Sequence, residues 1–144
     1  MDQYKKRHNA RCVAAQCLYS TIINPQDSWK HALDALQEIE NNNIPLSFDR
    51  PFTEYLIETC LENADQYEEA LSPHLKHGIR SLHPIDRAIV WIACCELNQK
   101  PLLTTRAIIL NECLTLIREL SEEQSVKFLN ALLDRYANDL GLTQ

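Results

Sequence analysis

Only two of the 144 residues are glycine, Gly78 and Gly141, and that scarcity limits the possible folds more than any motif does. Tight hairpins and phosphate-cradling loops need backbone positions with positive φ, which glycine supplies at least cost. A chain with so few is directed towards helices. The six prolines (Pro25, Pro45, Pro51, Pro73, Pro84 and Pro101) fall between apolar-periodic runs or at their beginnings, where a helix tolerates proline. The length suits one domain over residues 1–144, able to bury about two-thirds of its unfolded surface. The expected fold is all-α: a compact orthogonal bundle of about seven helices.

The apolar spacing locates them. A first helix runs from about Asn9 to Ile23, with Ala14, Ala15, Leu18 and Ile22 on one face, and Asn24-Pro25 stops it. A second begins at Asp27 or Ser28 and ends at the Asn41-Asn42-Asn43 run and Pro45. Asp49-Arg50-Pro51 reads as an N-cap with proline in the first turn, opening a long helix towards Leu71. A short piece follows Ser72-Pro73, and His83-Pro84 opens a fifth helix that stops before Pro101. The sixth, from about Thr104 to Leu120, is apolar around much of its circumference and is expected to be the central buried one. Ser121 to Gln124 has capping-box spacing before a seventh, which Gly141 terminates.

Charge is unevenly placed. Residues 1–11 carry four Lys/Arg against one Asp, for +3. The other 133 carry ten against nineteen Asp/Glu, for −9, which gives the total of −6. An acidic body repels nucleic acid at long range, but a short basic arm over residues 1–8 can still bind phosphates locally. No stretch of 18 apolar residues and no apolar N-terminal core occur, so neither a membrane span nor a signal peptide is expected, and the setting reads as cytoplasmic. The six cysteines lack Cys-x-x-Cys spacing and read as small core hydrophobes in a reducing compartment. His74, His77 and His83 are loosely metal-like in spacing, but they sit among turn residues rather than on a stiff platform. The sequence offers no nucleophile signature, glycine-rich loop or cofactor motif, so no catalytic residue, metal site or cofactor is assigned.

Two aromatic positions have two readings each. Phe128 lies about 100° around its helix from Leu129, at the border of core and solvent. It is either peripheral core or, with Lys127 and Gln124 beside it, a platform that stacks a base and holds its phosphate. Tyr19 shares a side of the first helix with His8 and Gln16. It either packs with its hydroxyl in water or stacks a base that the Gln16 amide hydrogen-bonds.

Two blocks of sequence carry a family resemblance. One is Arg11-Cys12-Val13-Ala14-Ala15-Gln16-Cys17-Leu18-Tyr19. The other runs from Ile85-Asp86-Arg87-Ala88 through Cys95-Glu96-Leu97 and Leu110-Asn111-Glu112-Cys113 to Lys127-Phe128-Leu129-Asn130. Their order and separation resemble the NusB family of bacterial transcription antitermination factors.

The resemblance implies an RNA-binding factor without enzymatic activity. It would pair with NusE, the small-subunit ribosomal protein, recognise single-stranded boxA RNA in ribosomal RNA transcripts, and join other Nus factors on RNA polymerase to suppress termination. It assigns Lys5, Lys6, Arg7, His8 and Arg11 to electrostatic capture of RNA. Tyr19 and Phe128 would stack bases, and Gln16, Lys127 and Gln124 would help position the strand. Asp86 and Arg87 match an acidic–basic pair that faces the partner protein, although a first-turn aspartate also suits the helix dipole without any partner. Asn111 and Asn130 are expected to be buried-edge residues that fix helix packing.

Departures from the family pattern are His8 and Asn9 in the arm, Trp91 where a basic residue is common, and Ala131 in place of a glycine. Together with the −9 body, His8, Asn9 and Trp91 favour a rival reading, a protein-interaction scaffold of the same fold with little or no RNA binding. RNA methylation would need a catalytic domain and a glycine-rich cofactor loop that this sequence lacks. Self-association as a homodimer is left open.

Overall fold

The computed structural model describes residues 2–42 and 47–142, without the side chains of 39–42. Asn43 and Pro45, expected to end the second helix, lie outside the described residues. Among the described residues six α-helices follow in order: α1 (Gln3–Ile23), α2 (Trp29–Asn42), α3 (Arg50–Leu71), α4 (Pro84–Leu97), α5 (Arg106–Leu120) and α6 (Gln124–Asp139). Two 3₁₀ turns, Ser72–His74 and Ile79–Ser81, link α3 to α4. Among the described residues there is no strand, and no helix is long and apolar enough to cross a membrane. The all-α bundle expected from the sequence is the fold.

Several ends are set by the residues that the sequence nominates. Asp49 accepts a hydrogen bond from the Phe52 amide at 3.1 Å and starts α3, with Pro51 in its first turn. His83 caps α4, its Nδ1 accepting from the Ile85 amide. At the far end, Gly141 has φ of 79°, and its amide donates to the Asn138 carbonyl while that of Leu142 donates to Ala137. Such a paired C-terminal closure needs a left-handed residue, which explains the glycine. Asn24 closes α1 as expected.

Three expectations are corrected. The first helix begins at Gln3, not near Asn9, because the Asp2 carboxylate caps it by accepting from the Lys5 amide; described residues of the basic arm are therefore helical. Ser121 does not cap the last helix. It closes α5, and α6 starts at Gln124 without a side-chain cap. The central helix is α4, not α5. Every α4 residue from Ile85 to Leu97 except Arg87 is buried, and the helix packs against α1, α3, α5 and α6. On α5, Ile108 is exposed and Leu110 and Leu114 only half-buried. Hydrophobicity around a helix does not say how many neighbours will cover it.

Leu18, Leu56, Ile57, Ile89, Ile92, Leu116, Ile117, Leu129 and Leu133 form the fully buried centre, contributed by α1, α3, α4, α5 and α6. Leu33 attaches α2 to that centre. Burying each such side chain contributes about 1.5–3 kcal/mol. The same packing sets which polar edges of α1, α4, α5 and α6 meet.

Candidate nucleic-acid interface

The N-terminal cations are largely engaged within the protein. Arg11 is only 3 % exposed. Its Nε and Nη2 donate to the two carboxylate oxygens of Glu96 on α4, both at 2.8 Å, and Nη1 lies 3.7 Å from Glu112 on α5. A guanidinium held in this forked geometry inside the bundle is a structural tie between α1 and α4, so Arg11, expected in the RNA-capturing arm, faces the interior instead of solvent. Arg7 is half-buried, with its guanidinium carbon 4.6 Å from the centre of the Phe52 ring. Its Nε is buried without a hydrogen-bond partner.

His8 is drawn in as well. Its Nδ1 lies 2.9 Å from Glu112 and its Nε2 3.1 Å from both oxygens of Glu119. Tyr4 adds a hydrogen bond from its hydroxyl to Glu112 at 2.5 Å. Burial alone would push the Glu112 carboxyl up, but the hydrogen bonds from Tyr4 and His8 and the charge of Arg11 outweigh it and hold it below the ordinary range. Burial likewise opposes charging of His8, and the facing carboxylates of Glu112 and Glu119 overcome that and raise its pKa. Of the cations expected to capture RNA, Lys5 is exposed and Lys6 half-buried.

The other half of the expected surface faces outward. Phe128 is 51 % exposed, which decides against its being ordinary core. Gln124 and Lys127 beside it are exposed too. Gln124 and Phe128 are four residues apart and share a face of α6. Gln16 is exposed and Tyr19 half-buried, with the Tyr19 ring stacked on His83 at 6.4 Å between centroids and 4° between planes.

A groove of about 540 Å³ opens here, lined by Gln16, Tyr19, Ala32, Leu36, His83, Ile85 and Leu120. A second cavity of about 260 Å³ shares His83, Ile85 and Leu120 with it and continues to Asp86, Ser121, Glu122 and Ser125. Ser125 stands one turn before Phe128 on α6. The tertiary structure thus joins the α1 pair to the start of α6 through the N-terminal end of α4. Sequence reasoning missed His83 and Leu120 as its shared wall; the His83-Pro84 helix start was the only signal, and it spoke of capping.

Asp86 is 5 % exposed and lines the second cavity. Its Oδ2 accepts from the Ser125 hydroxyl at 3.3 Å, and its Oδ1 has no partner. Arg87 instead turns to α3, with Nη2 2.9 Å from a Glu68 oxygen that also accepts from Trp91 Nε1 at 2.8 Å. Trp91 is therefore core with its one donor satisfied, in place of a surface cation. Asn111 and Asn130 are both exposed, not buried-edge packing residues. Their stripes are narrower than the apolar count suggested.

The three spaced histidines do not assemble. His74 bonds Asp139 at 2.6 Å, His77 is exposed, and His83 stacks on Tyr19. Another group does: His8, Cys12 and Glu119 bring one ligand atom each within 4.8 Å of one another. Sequence spacing could suggest only the His8–Cys12 half of it.

A buried central α4, with a groove at its N-terminal end and an exposed aromatic–cationic edge on α6, defines an all-α binding domain. The chain belongs to the NusB family, whose model matches residues 8–138. It is 28 % identical over 143 residues to the transcription antitermination protein NusB of Actinobacillus succinogenes, covering 97 % of each chain. To that of Campylobacter concisus it is 29 % identical over 140 residues, covering 93 % of this chain and 98 % of the relative. The fold matches T. maritima NusB with a TM-score of 0.75 at 22 % identity, over 92 % of this chain and 90 % of that one. It also matches a crystal structure of the antitermination factors NusB and NusE in complex with dsRNA, with a TM-score of 0.77 at 18 % identity, over 96 % and 99 %.

Proposed function

We propose that this protein is a cytoplasmic, non-enzymatic RNA-binding antitermination factor that acts as a single domain with NusE and recognises boxA-type RNA. The observation that carries the reading is the exposed Phe128, flanked by Gln124 and Lys127 and one turn after Ser125, which lines the cavity that shares His83, Ile85 and Leu120 with the groove at Gln16 and Tyr19. An aromatic ring half in solvent next to a cation is the arrangement that stacks an unpaired base and holds its phosphate. Family membership supports it, and so does the complex of a structural relative with NusE and RNA.

In this proposal Lys5 and Lys6 capture RNA electrostatically, with Arg7 and His8 held behind them. Asp86, whose Oδ1 lacks a partner beside the second cavity, offers an acceptor to the protein partner. Arg87 supports it from the Glu68 side. The last turn of α5 and the connection to α6 carry Glu119, Glu122 and Glu123, so phosphate binding there is opposed. NusE would contribute positive charge to the joint surface.

The test is binding of a boxA-like RNA with and without NusE, for wild type and Phe128→Ala. The expected outcome is tight binding only with NusE, weakened in the variant by about 1–3 kcal/mol with helicity unchanged. NusE binding without any RNA signal would instead establish a protein-interaction scaffold, a reading that the acidic connection favours.

A further inference from the structure

We propose that His8 Nε2, Cys12 Sγ and a carboxylate oxygen of Glu119 form a binding site for a zinc-class divalent cation that pins α1 to the end of α5. His8 and Cys12 are four residues apart, so they project from one face of α1. Glu119, in the last turn of α5, meets them from across the helix interface.

The triangle of ligand atoms has a definite size. Nε2 lies 3.7 Å from Sγ and 3.1 Å from Glu119 Oε2, and Sγ lies 3.4 Å from the same oxygen. A tetrahedral zinc ion, with bonds of about 2.0–2.1 Å to nitrogen, 2.3 Å to sulfur and 2.0–2.2 Å to oxygen, spaces such atoms by about 3.3–3.6 Å. All three sides are within about 0.3 Å of that range, so rotamer adjustments suffice and no backbone has to move.

The outer sphere is also in place. His8 Nδ1 faces Glu112 Oε2 at 2.9 Å, and Glu112 is buried, accepts a hydrogen bond from the Tyr4 hydroxyl and lies 3.7 Å from Arg11 Nη1. A ligating histidine whose other nitrogen donates to a carboxylate has a fixed tautomer, a fixed ring plane and a more basic ligand nitrogen. Glu119 is 46 % exposed at its side chain, which leaves an entry path and a fourth position for water. The donor set of imidazole, thiolate and carboxylate suits zinc and disfavours magnesium or calcium, which want oxygen alone. On metal binding the Cys12 thiol and the His8 Nε2 lose their protons and the ion takes the place of both. The site does not depend on RNA binding.

The test uses the full chain, stripped of metal. Zn²⁺ is titrated in competition with a chromophoric chelator, and Co²⁺ is then followed by its thiolate-to-metal charge-transfer absorption. The expected result is one Zn²⁺ per chain and a charge-transfer band that Cys12→Ser abolishes and Cys17→Ser retains. Cys12→Ser should also weaken Zn²⁺ binding by at least about 100-fold, the upper range for losing even an outer-sphere partner. Because Cys12 is half-buried, Glu119→Gln at the exposed corner gives a second reading, with a loss of at least about 10-fold. Failure of the wild type to compete for Zn²⁺ would overturn the site. So would a charge-transfer band that survives in Cys12→Ser, or an affinity unchanged in Glu119→Gln.

Discussion

The N-terminal turns of α1 and the first turns of α6 contain the same kinds of residue, yet the fold treats them in opposite ways. In α1, Arg7, His8 and Arg11 point into the molecule. Arg11 is clamped by Glu96, His8 by Glu112 and Glu119, and Arg7 lies against Phe52. In α6, Lys127 and Phe128 stay in solvent. Arg11 and His8 become structural because carboxylates from other helices reach them, and Arg7 because its guanidinium lies over the Phe52 ring. The acidic body of this chain supplies those carboxylates to α1, so the +3 of residues 1–11 overstates the charge offered to RNA.

The strongest challenge to this contrast is Arg11→Ala. Removing one partner of a buried pair strands Glu96, and stability in urea is expected to fall by about 3–5 kcal/mol. The double variant Arg11→Met with Glu96→Leu should recover most of that loss, since apolar replacement of a whole buried pair is often neutral. If Arg11→Ala instead weakened RNA binding with stability intact, the division between the two regions would collapse. Next in size is Arg87→Ala. Glu68 keeps its bond from Trp91 but loses its guanidinium partner, and a loss of about 1–3 kcal/mol by thermal unfolding is expected.

Lys5→Ala with Lys6→Ala should leave the fold alone and act on RNA. The dependence of log affinity on log salt is expected to flatten by about 0.7 for each phosphate of a single strand that is no longer neutralised. An unchanged slope would mean that even the outward lysines bind no phosphate. The smallest effect belongs to Asn130→Ala, at an exposed position, where a change within about 0.5 kcal/mol is expected. A larger loss in calorimetry would restore it to a packing role.

Much of the fold is legible in the sequence, for reasons that can be named. Asp49, His83 and Gly141 mark helix ends because capping is satisfied within a few residues. The stripe of Leu129, Leu132, Leu133 and Tyr136 marks a buried face because it follows the helical period, and all four are buried. Phe128 at the stripe's border is undecided by the pattern, since a border position is covered or open according to what lies opposite. The helix start at Asp2 is obscured by the charged run behind it. Glu112, the hub that gathers Tyr4, His8 and Arg11, carries no sign of that role in its sequence neighbours.

The amino-acid sequence by itself determined the helices, most of their ends, the buried faces and the family, because each of those rests on interactions or patterns confined to a few turns. Only the tertiary structure decided that α4 is the centre, that Arg11 is a strut, and that His8, Cys12 and Glu119 converge. The strut and the convergence on Glu119 depend on pairs 85 to 111 residues apart, such as Arg11–Glu96 and His8–Glu119, and the place of α4 on its packing against four other helices. No local rule couples side chains at that separation; the packing of α1 against α4 and α5 brings them within bonding distance.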